Sequence, residues 1–211
     1  MIPVSRAMRD LIIATENDKK LHELKRYLKS LKANVISLKE INNAPRIRED
    51  KHTFKGNAIK KAVTISKFTG GMVLADDSGL CVDALSGKPG VKSARFAGRG
   101  KKDHDNNAKL LKMMKGVPAG KRTARFVCAI AIADNSGIVK VIEEYCNGRI
   151  ADSVRGRHGF GYDPLFLIPK YNRTFGELGL KAKDRMSHRS KALKKARAFL
   201  KKYLCRVRAC L

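Results

Sequence analysis

The chain has 211 residues, enough for one well-buried core and too short, on the usual domain scale, for a second independent one. With 43% hydrophobic and 31% charged residues it is excluded from the disordered class, and no stretch approaches the roughly 18 uninterrupted apolar residues of a membrane-spanning helix. Its formal charge of +27, from 46 Lys and Arg against 19 Asp and Glu, predicts strong attraction for phosphates and other polyanions.

Residues 11–14 read as a strand, followed by a polar turn and a helix in which Leu21, Leu24, Leu28 and Leu31 recur at helical spacing, a βα unit. Residues 34–38 read as a second strand. Residues 53–68 read as a second helix with Phe54, Ala58, Ile59, Ala62 and Ile65 as its apolar stripe, ended by Gly70 and Gly71. Residues 72–75 form a short apolar strand, and an acidic turn of Asp76, Asp77, Ser78 and Gly79 follows it. Ligands of open α/β sheets gather just beyond such strand ends. Residues 87–100 read as a long loop and 103–115 as a helix. Residues 124–133 and 138–146 form two β-rich runs joined by a four-residue turn, Asp134 to Gly137. A further strand at 165–168 follows the turn GFGYDP, and Ser187 caps a last helix running to about Leu204.

Three constellations carry possible chemistry. Thr15, Glu16, Asn17, Asp18, Lys19 and Lys20 join a strand to a helix, and free N–H groups at a helix start attract phosphate, although an ordinary capped surface helix has the same composition. The Walker A pattern is absent. Asp76 and Asp77 are adjacent carboxylates that repel unless a cation or donors compensate; Mg²⁺ suits them, and so does simple capping of the turn. Phe160, Gly161, Tyr162, Asp163 and Pro164, with Ser187, His188 and Arg189 downstream, offer an aromatic face and hydrogen-bonding edges fit for a purine, while a core Phe and a helix-capping His are the plainer alternative.

Taken in order, ATENDKK, TFKGNAIKKA, LADDSGLCVDALSGKPGVKSARFAG, GFGYDPLF and MSHRSKAL resemble the inosine triphosphate pyrophosphatase family, also called Ham1-like proteins or XTP/dITP diphosphatases, over residues 11–204. The resemblance implies an α/β fold: a mixed twisted sheet flanked by helices, with two lobes and a nucleotide cleft between them. It implies one domain over 10–205, with 1–9 and 206–211 as terminal extensions, a homodimer, and Mg²⁺ as cofactor. The implied reaction is hydrolysis of ITP, dITP and XTP to the monophosphate and pyrophosphate. Carried onto this chain, Thr15, Glu16, Asn17, Asp18, Lys19 and Lys20 would hold phosphates, and Ser78 would add a contact. Asp77 would be general base or metal ligand, with Asp76 and Glu49 as the other candidate ligands. Phe160, Gly161, Tyr162 and Asp163 would pack against the base, Lys183 would approach the nucleotide, and His188 with Arg189 would read the purine edge.

A rival reading is a family member with impaired catalysis that binds nucleic acid through its charge. From Lys181 to the end there are twelve Lys or Arg against one acid, Asp184, but no RNP or helix-turn-helix signature. For an active enzyme the same charge predicts incidental polyanion binding. Cys81, Cys128, Cys146, Cys205 and Cys210 form no CxxC pair, and no signal-peptide pattern opens the chain, so reduced thiols, a cytoplasmic location and no membrane association are expected.

Overall fold

Leu11, Ile12 and Ile13 are all buried, as a continuous apolar run covered on both faces requires. They form strand β1 (Arg9–Ala14), which lies between two parallel neighbours, β2 (Ala33–Ser37) and β3 (Met72–Val82). The computed structural model describes residues 9–31, 33–98, 100 and 102–209; residues 1–8 of the expected N-terminal extension, and Cys210 with Leu211, lie outside them. The remaining strands are β4 (Thr123–Asp134), β5 (Gly137–Ile150), β6 (Phe166–Ile168) and β7 (Arg173–Thr174). They complete a seven-stranded mixed sheet in the order β2-β1-β3-β4-β5-β6-β7, antiparallel from β3 onward.

Helices cover the parallel half on both sides. Helix α1 (Asp18–Leu28) begins where the Asn17 side chain accepts the Lys20 N–H, and it packs with α5 (His188–Ala209) on one face through Leu24, Leu28, Leu193, Ala196 and Leu200. Helix α2 (Phe54–Thr69), capped by Thr53, covers the other face through Ala58, Ala62 and Ile65. Gly70 stops α2 in the left-handed region at φ 68°, where a side chain would be strained. The far half of β3, β4 and β5 carries a separate core with α3 (Asp103–Met113) and α4 (Phe175–Met186), built on Leu80, Phe126, Leu110, Phe166 and Phe175. One sheet therefore serves two lobes. The Arg122 guanidinium donates to the carbonyls of Met114, Val117, Ile150 and Ala151, tying the end of α3 to the end of β5.

The main correction concerns Asp76 to Gly79. They form no turn: β3 continues through them, because β4 pairs with it from Val73 opposite Ala133 to Val82 opposite Ala124 and satisfies their backbone. Parallel pairing with β1 does stop at Ala14 opposite Ala75, so the acids lie where β1 ends and β3 runs on. The hairpin between β4 and β5 is tighter than expected, with Asp134 paired to Gly137. Helix α4 and strand β7 are additional elements, and α5 continues through 206–209, part of the expected C-terminal extension. Cys81, Cys128, Cys146 and Cys205 are free thiols. Among the described residues no helix is long and apolar enough to cross a membrane.

Candidate active site

Where β1 ends, a cleft of about 770 Å³ opens between the lobes. Alternation along β3 sends Asp76 and Asp77 to opposite faces of the sheet, so the two carboxylates do not form the like-charge pair that their adjacency suggests. Asp76 points toward α1 and α5. Lys20 Nζ lies 2.8 Å from its Oδ1, Arg189 Nε 3.4 Å from its Oδ2, and the Cys128 thiol 3.5 Å from the same oxygen. Burial alone would raise the Asp76 carboxyl; Lys20, Arg189 and Lys61 outweigh it and hold the group well below the ordinary carboxylate range.

Arg189 is the centre of this buried network. Its Nη1 donates to Glu23 at 2.7 Å and its Nη2 to Ser78 Oγ at 2.7 Å, so Nε, Nη1 and Nη2 each hold a protein oxygen. Arg189 is thus anchored by the protein, and its remaining N–H groups are the ones that can face a ligand in the expected edge-reading role. Glu23 also lies 3.5 Å from Lys183 Nζ, which donates to Asp163 at 2.6 Å. That carboxylate in turn accepts the Phe160 N–H at 2.8 Å. Gly159 permits the contact, since a Cβ there would sit 2.0 Å from Asp163 Oδ2. The Phe160 ring thus stands under cations, with Lys183 Nζ 4.3 Å and Arg189 Cζ 5.4 Å from its centroid. Tyr162 is buried with its hydroxyl on the Ser93 carbonyl and supports the loop. His188 stacks on Phe126 at 4.7 Å with Nδ1 unpartnered among the described residues, and burial, then Arg189 and Lys183, hold it neutral.

On the α2 face, Asp77 accepts Asn57 Nδ2 at 3.0 Å and the Ser78 N–H at 3.0 Å. The same Asn57 accepts the Lys51 N–H at 2.9 Å, fastening the loop that carries Glu49 to the strand that carries Asp77. Lys61, one turn further along α2, places Nζ 2.7 Å from Glu49, 2.6 Å from the Asp76 carbonyl and 3.9 Å from Asp77. Burial followed by the Glu49 charge lifts the Asp77 carboxyl to about 6, against the pull of Lys61, Lys20 and Asn57. Burial also tends to raise Glu49; Lys61, Lys20 and Arg95 outweigh it and keep that carboxyl lowered.

Two carboxylates, Glu49 and Asp77, therefore flank one ammonium in the cleft, a donor set that suits a hard divalent cation completed by water and phosphate oxygens. Asp76 does not belong to it, because it faces the other side and is already neutralised by Lys20 and Arg189. Among the described residues no three His, Cys, Asp or Glu side chains converge as a metal cage. Of the phosphate turn, Thr15, Glu16, Asn17 and Lys20 line the cleft. The Asp18 side chain turns away to Lys39, and the exposed Lys19 pairs with Asp103 at 3.3 Å on the rim. Ser78, Phe160, Gly161, Tyr162, Asp163, Lys183, His188 and Arg189 all line it, as do Glu49 and Asp77. Asn57, Lys61, Glu23 and Arg95 are functional candidates that sequence reasoning did not single out. Asn57 and Lys61 had a signal, polar residues four apart within the apolar stripe of a helix.

The sequence model of the Ham1 family matches residues 11–199. A dITP/XTP pyrophosphatase of Desulforamulus reducens is 52% identical over 190 residues, covering 90% of this chain and 94% of its own. That of Bacillus subtilis is 45% identical over 188 residues, covering 89% and 95%. The solved structure of a HAM1 protein from Coxiella burnetii superposes with a TM-score of 0.85 at 37% identity, covering 92% of this chain and all of that one. With the matched model spanning most of the sequence and the solved fold sharing its mixed sheet, the chain belongs to the Ham1 family.

Proposed function

We propose that the cleft hydrolyses the α–β phosphoanhydride of non-canonical purine nucleoside triphosphates, dITP, ITP and XTP, giving the monophosphate and pyrophosphate. The observation that carries this is Asp77, a buried base held by Asn57 beside the Glu49–Lys61 pair, at the foot of a cleft whose other end is the Phe160 platform. The relatives named dITP/XTP pyrophosphatases give the substrate class. The N-terminus of α1, with Lys20 and Lys61, meets the triphosphate. Asp77 takes a proton from the attacking water, the new P–O bond forms, and the α–β bond breaks with its electron pair leaving on pyrophosphate. Mg²⁺ held by Glu49 and Asp77 would neutralise the polyphosphate and stabilise charge on the leaving group. The rival reading, loss of catalysis, has no support, since Asp77, Glu49 and Lys61 remain together in the cleft. A homodimer and a cytoplasmic location accompany this proposal.

Glu49→Gln is expected to raise the Mg²⁺ concentration needed for half-maximal rate by about 10-fold or more, whereas Asp50→Asn leaves it unchanged, because Asp50 is spent on Lys60 at 2.8 Å. A metal titration of both variants checks this, and the opposite pattern would transfer the ligand role to Asp50.

The base stacks on Phe160 with its edge toward Lys183, His188 and the spare N–H groups of Arg189. Lys and Arg are donors only, so they satisfy the 6-oxo group of hypoxanthine or xanthine and leave a 6-amino group unpaired, at a cost of about 1–3 kcal/mol. The expected kcat/KM for dITP and XTP exceeds that for dATP by roughly 10²-fold. Steady-state kinetics on the three nucleotides test the substrate assignment, and equal values for dITP and dATP would refute it.

A further inference from the structure

We infer that the outer face of α5, flanked by α1 and α4, is a docking surface for the phosphate backbone of duplex DNA, on a protein whose cleft stays open. Helix α5 has 22 residues, and the stretch from Lys191 to Lys202 covers about 17 Å of it, roughly half a turn of DNA. Leu193, Ala196, Leu200 and Leu204 bury one side of it against the sheet. The opposite arc exposes Lys191, Lys194, Lys195, Arg197, Lys201 and Lys202, and the helix contains no acidic residue.

Most of that charge is not neutralised by the protein. Lys195 pairs with Glu144 and Lys191 donates to the Tyr145 carbonyl, while Lys194, Arg197, Lys201 and Lys202 have no acidic partner among the described residues. The same holds of exposed Lys29 near the end of α1 and of Lys181 and Arg185 on α4. Acids around these helices have partners of their own, Asp184 in Arg26, Glu40 in Lys25, Glu144 in Lys195 and Asp134 in the Tyr203 hydroxyl. Such an array releases counterions from a polyanion without reading its sequence.

The chemistry of the face selects the polyanion. Insertion into a lipid surface needs an apolar side free to enter the membrane, and that side of α5 is buried in the core. Single strands are held by stacking on exposed aromatics. Here Phe199 and Tyr203 stack on each other at 5.4 Å with the Tyr203 hydroxyl on Asp134, and the one exposed ring beside Lys191 among the described residues, Tyr145, is tied by its hydroxyl to Glu143. What remains is a dense basic face, spread over roughly half of the helix circumference, that can lie along a phosphate backbone. Among the described residues of α5 only the first two, His188 and Arg189, line the cleft, so a duplex along Lys191 to Lys202 leaves the entrance clear.

Fluorescence anisotropy with a duplex of about 20 base pairs, from 50 to 200 mM salt, tests the inference on the full chain. Neutralising about four phosphates predicts an affinity loss near 10²-fold over that range. The triple variant Lys194→Glu, Lys201→Glu, Lys202→Glu is expected to weaken binding at least about 10-fold at 50 mM, with dITP hydrolysis and Tm unchanged. A triple variant of equal net charge on other surfaces, Lys67→Glu, Lys112→Glu, Lys115→Glu, is expected to bind like wild type. If the α5 variant is unstable, Lys194→Gln, Lys201→Gln, Lys202→Gln must show the same direction of change. Equal weakening by both Glu triples, no binding at 50 mM, or tighter binding to phosphatidylglycerol vesicles than to the duplex overturns the assignment.

Discussion

Asp77→Asn is expected to lower kcat at least about 10²-fold while leaving the fold intact, because it removes the proposed base and one of the two proposed metal ligands but keeps volume and shape. Asn57 Nδ2 and the Ser78 N–H both donate to Asp77, so the substituted amide keeps one of these bonds through its oxygen and loses the other, while a side chain of the same size stays at the end of the β1–β3 pairing. A buried carboxyl raised to about 6 is disfavoured in its charged form, so at neutral pH its ionisation subtracts from stability; relief of that cost offsets the lost hydrogen bond, and Tm is expected to change little. Measured kcat together with Tm checks both halves. Retention of more than about a tenth of the wild-type rate would pass the base role to Glu49, the other carboxylate flanking Lys61.

Arg189→Ala is expected to be the most destabilising change at the site. Removing the guanidinium strands Asp76, buried and left with Lys20, and takes from Glu23 its 2.7 Å partner. Breaking a buried pair in this way costs about 3–5 kcal/mol. For a chain of this size that is a fall in Tm of roughly 10 °C. Arg189→Lys should not rescue it, since one ammonium cannot reach Asp76, Glu23 and Ser78 in three directions. Thermal unfolding beside kcat/KM distinguishes anchor from base reader. A shift in the dITP to dATP ratio with Tm unchanged would make Arg189 a reader of the base alone.

Local features were legible where neighbours in sequence settle them. Asn17 before α1, Thr53 before α2 and the Leu and Ala stripes of α1, α2 and α5 need only local hydrogen bonds and helical periodicity. The division of labour between Asp76 and Asp77 was not legible, because it depends on β4 pairing that comes some fifty residues later and keeps both acids in a strand. The Arg189 role was hidden for the same reason: its partners Glu23, Asp76 and Ser78 are far away in sequence. Helix α4 escaped because Gly179, at φ 73°, interrupts its helical pattern, although Thr174 and Glu177 form a capping box that marks its start. The two-lobed architecture and the residues gathered around the cleft follow from the resemblance. The geometry adds Asn57, Lys61 and Glu23, whose polar groups occupy places where a helix would otherwise bury apolar ones.

The most direct test of the central claim is the product balance from dITP with Mg²⁺, resolved by ³¹P NMR as the reaction proceeds. Cleavage at the α–β bond by water activated at Asp77 predicts one dIMP and one pyrophosphate for each dITP consumed, with no dIDP accumulating, and the same signals vanishing in Asp77→Asn. Appearance of dIDP with inorganic phosphate, or undiminished turnover in the variant, would contradict the account.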